Sequence, residues 1–138
     1  MAGQLNTLGF IKWFATSVGG AVAGWTWLSA LIVLLLVYFY AHYGFASVTA
    51  HVTAMFPPFL AVAVGAGAPP YLAAISLALF SSLMNSTTHY GTGPAPIYFN
   101  AGYIDQKTWW TLGLIISFVN IAIFLTVGFA WWKVLGLW

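Results

Sequence analysis

From Trp13 to Ile104 the chain carries no formally charged side chain. The charged residues are Lys12, Asp105, Lys107 and Lys133, so that 3% of the 138 residues are charged against 62% hydrophobic. A water-soluble domain of this size cannot cover its surface with such a sequence, and a mean hydropathy of +0.96 points the same way. The chain is therefore read as an all-α integral membrane protein that crosses the bilayer several times. A net charge of +2 spread over distant positions forms no basic patch and argues against a nucleic-acid partner. Without cysteine there is no disulfide, thiolate metal site or cysteine nucleophile. Met1-Ala2-Gly3-Gln4 has no basic character, so no cleaved signal peptide is expected.

The apolar blocks divide what reads as a single membrane-embedded unit over residues 1–138. Over residues 5–18, Leu5, Leu8, Ile11, Phe14, Ala15 and Val18 recur at helical spacing with Asn6, Gly9, Lys12 and Thr16 opposite, the pattern of a short amphipathic helix. Gly19, Gly20 and Gly24 are expected to loosen the chain before Trp25-Thr26-Trp27, an aromatic pair suited to the bilayer interface. Residues 25–66 read as a hairpin. Its first arm, Trp27 to Ala41, and its second, Met55 to Val64, are apolar, and the polar patch between them is too short for an ordinary aqueous loop. The tip, around Ser47 to Thr53, is therefore expected inside the membrane, as in a re-entrant hairpin. Residues 70–101 read as one broken transmembrane helix opened by Pro70. Residues 108–133 read as the last span, since Trp110 to Trp131 at 1.5 Å per residue covers about 32 Å.

The sharpest break is Asn85-Ser86-Thr87-Thr88-His89-Tyr90-Gly91-Thr92-Gly93-Pro94-Ala95-Pro96. Both prolines lack a backbone donor, each pushes its predecessor toward extended geometry, and the two glycines are permissive. The freed amides and carbonyls survive at membrane depth only where protein encloses them or where they line a wet cavity. Two polar interruptions in neighbouring apolar blocks are how discontinuous helices build a midplane site: helix N-termini face an anion and unwound carbonyls hold a cation. The bland alternative is that the hydroxyls bond back within their own helices and the prolines only kink them.

His51 and His89 fall inside the two interruptions, where an ionisable group is a functional candidate by default. His42 follows Tyr38-Phe39-Tyr40 and reads as an interfacial residue. No pair of histidines has the spacing of a helical metal site, so a small haem- or metal-binding membrane subunit using two of His42, His51 and His89 is the lesser reading. Asn120 and Ser117 share a face of the last helix and read as packing groups. Asn85-Ser86-Thr87 matches a glycosylation sequon only by pattern, given its depth.

Thr88-His89-Tyr90-Gly91-Thr92-Gly93-Pro94-Ala95-Pro96-Ile97-Tyr98-Phe99, with Gly102-Tyr103, Lys107-Thr108-Trp109-Trp110 and the closing Trp131-Trp132-Lys133-Val134-Leu135-Gly136-Leu137-Trp138, resembles the C-terminal end of the divalent anion:sodium symporter family. Ala46-Ser47-Val48-Thr49-Ala50-His51-Val52-Thr53-Ala54-Met55 resembles the same family, in the branch of citrate/succinate exchangers and 2-oxoglutarate/malate translocators. The resemblance implies the C-terminal part of an inverted-repeat secondary transporter, with a re-entrant helical hairpin, a discontinuous helix and no covalent chemistry. It implies substrate contacts from Ser47, Thr49, His51, Thr88, His89, Thr92 and Pro94, and a possible sodium site from Thr49, Ala50, Thr88 and Gly91, with no other cofactor. Sodium-coupled members carry Ser-Asn-Thr at the hairpin tip. Here Thr49, Ala50 and His51 stand there without an asparagine, which favours anion exchange over sodium symport. The implied partners are di- and tricarboxylate anions, the lipid bilayer, the missing N-terminal half and a second copy in a homodimer; the implied location is a bacterial inner membrane.

Overall fold

The computed structural model describes residues 9–22 and 24–138. Helix α1, Phe10–Ala21, packs against the helix Val48–Gly65. The amphipathic segment expected over residues 5–18 begins outside the described residues. It also runs further than expected, through Gly19 and Gly20, which were read as loosening the chain. In an apolar setting the helical bond is the backbone's only available partner, so the glycine penalty of about 1 kcal/mol each does not end the helix.

Helix α2, Trp27–Ala41, is apolar on every side and is opened by Thr26, whose hydroxyl accepts from the Ser29 amide at 3.3 Å. A 3-10 turn, His42–Gly44, and the extended residue Phe45 end it. Helix α3, Val48–Gly65, begins at Ser47, whose hydroxyl accepts from the Ala50 amide at 3.1 Å. The hairpin tip is thus His42 to Ser47 and not the stretch from Ser47 to Thr53 read from the sequence: Thr49, His51 and Thr53 are helical, and the Thr53 hydroxyl bonds back to the Thr49 carbonyl at 2.7 Å. Ser47 is a competent cap, and a cap starts a helix where polarity alone suggests a loop. Pro57 and Pro58 lie inside α3, which continues past them although they remove two donors from its ladder.

Gly67 turns the chain with φ 91°, while the Ala68 amide closes α3 on the Ala63 carbonyl at 3.0 Å. Pro70 occupies the first turn of α4, Pro70–Leu83. At 14 residues α4 is about 21 Å long, less than a hydrocarbon core. A 3-10 turn, Met84–Ser86, leads into a non-helical run that lasts until α5, Ala95–Asn100. Asp105 caps α6, Gln106–Ile123, which passes through a π-helical turn, Phe124–Gly128, into α7, Phe129–Val134.

Among the described residues three helical stretches are long and apolar enough to cross a membrane: Trp27–Gly44, Val48–Gly65 and Gln106–Val134. No strand occurs among the described residues. The core is formed by α2, α3 and α4, through Leu31, Leu34, Leu35 and Phe39 against Phe59, Leu72, Leu77 and Phe80. Lipid tails are as apolar as these side chains, so the helices are held by close packing and by polar pairs such as Tyr38 and Ser81, whose hydroxyls are 2.7 Å apart.

Candidate functional site

The two polar interruptions meet. The Val48 amide, at the start of α3, donates to the Gly91 carbonyl at 3.0 Å. The Tyr90 hydroxyl donates to the Tyr43 carbonyl at 2.7 Å. Sequence separation gives no hint of either bond. Both use backbone groups that the helix ends leave open, which is why irregular backbone can persist here.

Below these bonds lies a buried polar group. His42, His51 and Thr88 have no exposed surface, and neither imidazole nor the Thr88 hydroxyl has a hydrogen-bond partner. The His51 ring packs against three neighbours: it is stacked on Phe45 at 4.9 Å and His42 at 5.5 Å, and Tyr38 lies tilted against it at 4.6 Å between centroids. Gly91 closes the space beside His42 and Thr88, since a Cβ added there would collide with His42 Nε2 and with Thr88 Oγ1. His42 therefore belongs to the centre of this group, and its reading as an interfacial residue is corrected. The adjacent Tyr38-Phe39-Tyr40 suggested an interface, yet Tyr38 and Phe39 are themselves fully buried.

The other residues named from the sequence divide into three sets. Ser47 caps α3, while Thr49 and Ala50 are exposed on its first turn. Thr92 is half-buried and Pro94 exposed at the start of α5. His89 faces away from the other two histidines: its Nδ1 accepts from Trp110 Nε1 at 2.9 Å and its ring lies 4.4 Å from Phe99. Of the four groups expected around a cation, the Gly91 carbonyl already accepts from Val48 and the Thr49 carbonyl from Thr53. A shared metal between His42 and His51 is not favoured by their geometry, because rings stacked 19° from parallel do not converge their nitrogen lone pairs on one ion. Among the described residues no group of three or more possible metal ligands occurs.

Helix α6 closes the break from the other side. Gly113 lies against it so closely that an added Cβ would stand 2.8 Å from the Ser86 carbonyl oxygen and 3.0 Å from that of Thr87. At the aqueous end of α6, Asp105 is exposed; its carboxyl is held below the usual carboxylate range, first by the Thr108 hydroxyl and then by the Thr108 amide. A cleft of about 470 Å³ beside it is lined by Gln106, Lys107, Trp110 and Thr111.

Apolar helices of membrane-spanning length, with a non-helical run joined to a helix start, are those of an all-α membrane protein. The chain belongs to the family described as the sodium:sulfate symporter transmembrane region, whose family model matches residues 1–138. It is similar to YflS of Bacillus subtilis (strain 168), with 54% identity over 138 residues, covering the whole chain and 29% of that protein. It is 51% identical over 140 residues to the chloroplastic dicarboxylate transporter 1 of Arabidopsis thaliana, covering the whole chain and 25% of that protein. The citrate/succinate antiporter of Escherichia coli (strain K12) is 40% identical over 139 residues, again covering the whole chain and 28% of that protein. The chain thus spans between 25% and 29% of the length of these relatives. Two features of the site escaped the sequence reading: the burial of His42, for which no local signal exists, and the contact at Gly113, whose only signal is one small residue among large ones.

Proposed function

We propose that this chain forms one wall of a carboxylate site in a longer secondary transporter that exchanges one di- or tricarboxylate for another across a membrane. The observation that carries this reading is the junction of the α3 start with the Thr88 to Pro94 break, which gathers neutral donors around unpartnered buried polar atoms. Ser47, Thr49 and Ala50 at the helix start, with Thr88, Thr92 and the Gly91 to Pro94 backbone opposite, would offer hydroxyls and amides to carboxylate oxygens. Neutral donors suit a carrier because each bond to the anion is modest, and the anion can leave on the far side. In this reading α2 and α3 are the arms of a re-entrant hairpin, the chain is the C-terminal end of the second repeat of an inverted-repeat protein that works as a homodimer, and the membrane is a bacterial plasma membrane. The names of the relatives support carboxylates as the substrate class.

The test is uptake into vesicles holding the full-length protein and preloaded with unlabelled anion. Labelled citrate, succinate, malate and 2-oxoglutarate are offered in turn, and at least one is expected to enter. Thr88→Ala and Thr92→Ala are each expected to slow this uptake roughly tenfold, the loss of one hydrogen bond to a charged group. Undiminished uptake in both variants would remove the assigned site. Sodium symport is the second reading; uptake into vesicles empty of anion but driven by a sodium gradient would replace exchange with it, and Thr49, Ala50, Thr88 and Gly91 would then be examined as the cation site.

A further inference from the structure

The His42–His51 pair is not needed to bind a carboxylate at the helix start, yet it occupies the most enclosed place in the junction. Four ring nitrogens and the Thr88 hydroxyl are buried there without a partner. Buried polar atoms left unpaired cost about 1–3 kcal/mol each, so a fold that keeps several together holds them for an occupant. The rings stack and do not converge, which disfavours a metal ion. On the side of Gly91 the space beside His42 Nε2 and Thr88 Oγ1 is too small even for a methyl group, so no organic group lies between these atoms and that backbone. What fits is a proton, held on imidazole and donated toward Thr88.

We infer that His42, stacked on His51 and facing Thr88 and Gly91, is a proton-binding site coupled to the carboxylate site, so that each substrate anion is bound together with a proton. This rests on the carboxylate reading given above and adds the coupling ion. The step is an acid–base one: an imidazole nitrogen lone pair takes a proton from water, giving imidazolium and hydroxide, and returns it when the anion leaves.

The counter-charge supplies the coupling. A buried imidazolium without an anion nearby is costly. Tyr38 from α2, Phe45 from the turn, and Thr88 and Gly91 from the break face the pair, and none of them is anionic. The Tyr38 hydroxyl is bonded to Ser81 of α4, Tyr90 is turned to the Tyr43 carbonyl, and His89 is turned to Trp110 of α6. Asp105, the sole acidic side chain of the sequence, is exposed and bonded to Thr108. Lys107 is exposed, and Lys133 lies over the Trp138 ring. Among the described residues no anionic side chain faces the pair, and the balancing charge is assigned to the substrate anion. Linkage then requires reciprocity: if the anion favours the proton, the proton favours the anion by the same factor.

The experiment uses the full-length protein, purified in detergent and weakly buffered, with a pH-indicating dye. Malate and 2-oxoglutarate are the probes, because ordinary carboxyls are ionised above about pH 6 and bring no proton of their own. Binding is expected to be accompanied by uptake of about one proton per anion, with affinity weakening by about tenfold per pH unit above neutrality, the linkage slope for one proton. His42→Gln is expected to bind the anion without proton uptake and with an affinity that no longer changes with pH. Binding by the unaltered protein with no proton uptake overturns the proton site and leaves the carboxylate reading standing. Failure to bind malate or 2-oxoglutarate, and citrate or succinate offered in the same way, overturns both. Proton uptake that persists in both His42→Gln and His51→Gln places the proton elsewhere and also overturns the inference. Should His42→Gln fail to fold, His42→Asn replaces it with the same readout, and proton uptake that persists in it overturns the inference.

Discussion

The Val48 amide donates to the Gly91 carbonyl at 3.0 Å, so the first turn of α3 and the middle of the break share a main-chain bond. Because no side chain takes part, neither position can lose this bond by truncation. It can be lost only if something pushes the two segments apart, and the surroundings of Gly91 provide that possibility.

An alanine at position 91 would put its methyl group into His42 Nε2 and Thr88 Oγ1, whereas position 93 has open space. Gly91→Ala is expected to destabilise the protein by about 1–3 kcal/mol, the usual range for overpacking, and to weaken anion binding with it. Gly93→Ala is the control and is expected to fall within about 0.5 kcal/mol of the parent. Thermal midpoints in detergent measure both. Equal midpoints for the two variants would mean that the crowding around Gly91 has no energetic weight.

A second contrast lies on the last span. A Cβ at Gly113 would meet the backbone oxygens of Ser86 and Thr87 at 2.8 Å and 3.0 Å, while one at Gly128 would meet only Phe124 at an ordinary 3.7 Å. Gly113→Ala is expected to cost about 1–3 kcal/mol, since a backbone neighbour cannot rotate away. Gly128→Ala is expected to be neutral or to stabilise by up to about 1 kcal/mol through helix propensity. Denaturant midpoints ranked in the opposite order would refute the close packing of α6 on the break.

Tyr90→Phe removes only the hydroxyl that donates to the Tyr43 carbonyl. The expected cost is about 1 kcal/mol. Hydrogen exchange localises it: amides from His42 to Ser47 are expected to exchange faster, with those of Leu112 to Ile121 unchanged. A uniform acceleration along the chain would show that the bond is not a local clasp.

At the aqueous end, Asp105 has a carboxyl that ionises more readily in the folded chain than a free one does, because Thr108 bonds to the ionised form. Its contribution is therefore fully present above about pH 4, the ordinary carboxylate value, and is lost as pH falls through the lower folded value. The first turn of α6 is expected to fray on acidification below about pH 4. Asp105→Asn retains a capping oxygen and is expected to remove the pH dependence of that fraying. Exchange rates for Lys107 to Trp109 at several pH values are the measurement, and identical profiles for the two proteins would disprove the cap's titration.

The parts of this architecture that were legible are those fixed by local chemistry. Gly91, Gly93 and Pro94 lie in the non-helical run, Pro96 sits in the first turn of α5, and the Trp109-Trp110 and Trp131-Trp132 pairs lie within the apolar helical stretch Gln106–Val134. The hairpin tip is less legible, because the polar run from Ser47 to Thr53 suggests a loop while Ser47 is a cap and Thr49 to Thr53 form the first turns of α3. Pro57 and Pro58 show the converse: a pair that would stop a helix in water is carried through α3, where the backbone has no other partner. The burial of His42 beside His51 and the docking of Gly113 on Ser86 and Thr87 arise only when distant segments meet, and no periodicity encodes them.

The contact at Gly113 also bears on motion. Main chain rests on main chain there, with no rotamers in between to absorb sliding or shear. Any displacement of the break toward one face of the bilayer would therefore take the last long helix along as a rigid partner, and the joints that allow such travel must lie elsewhere in the protein.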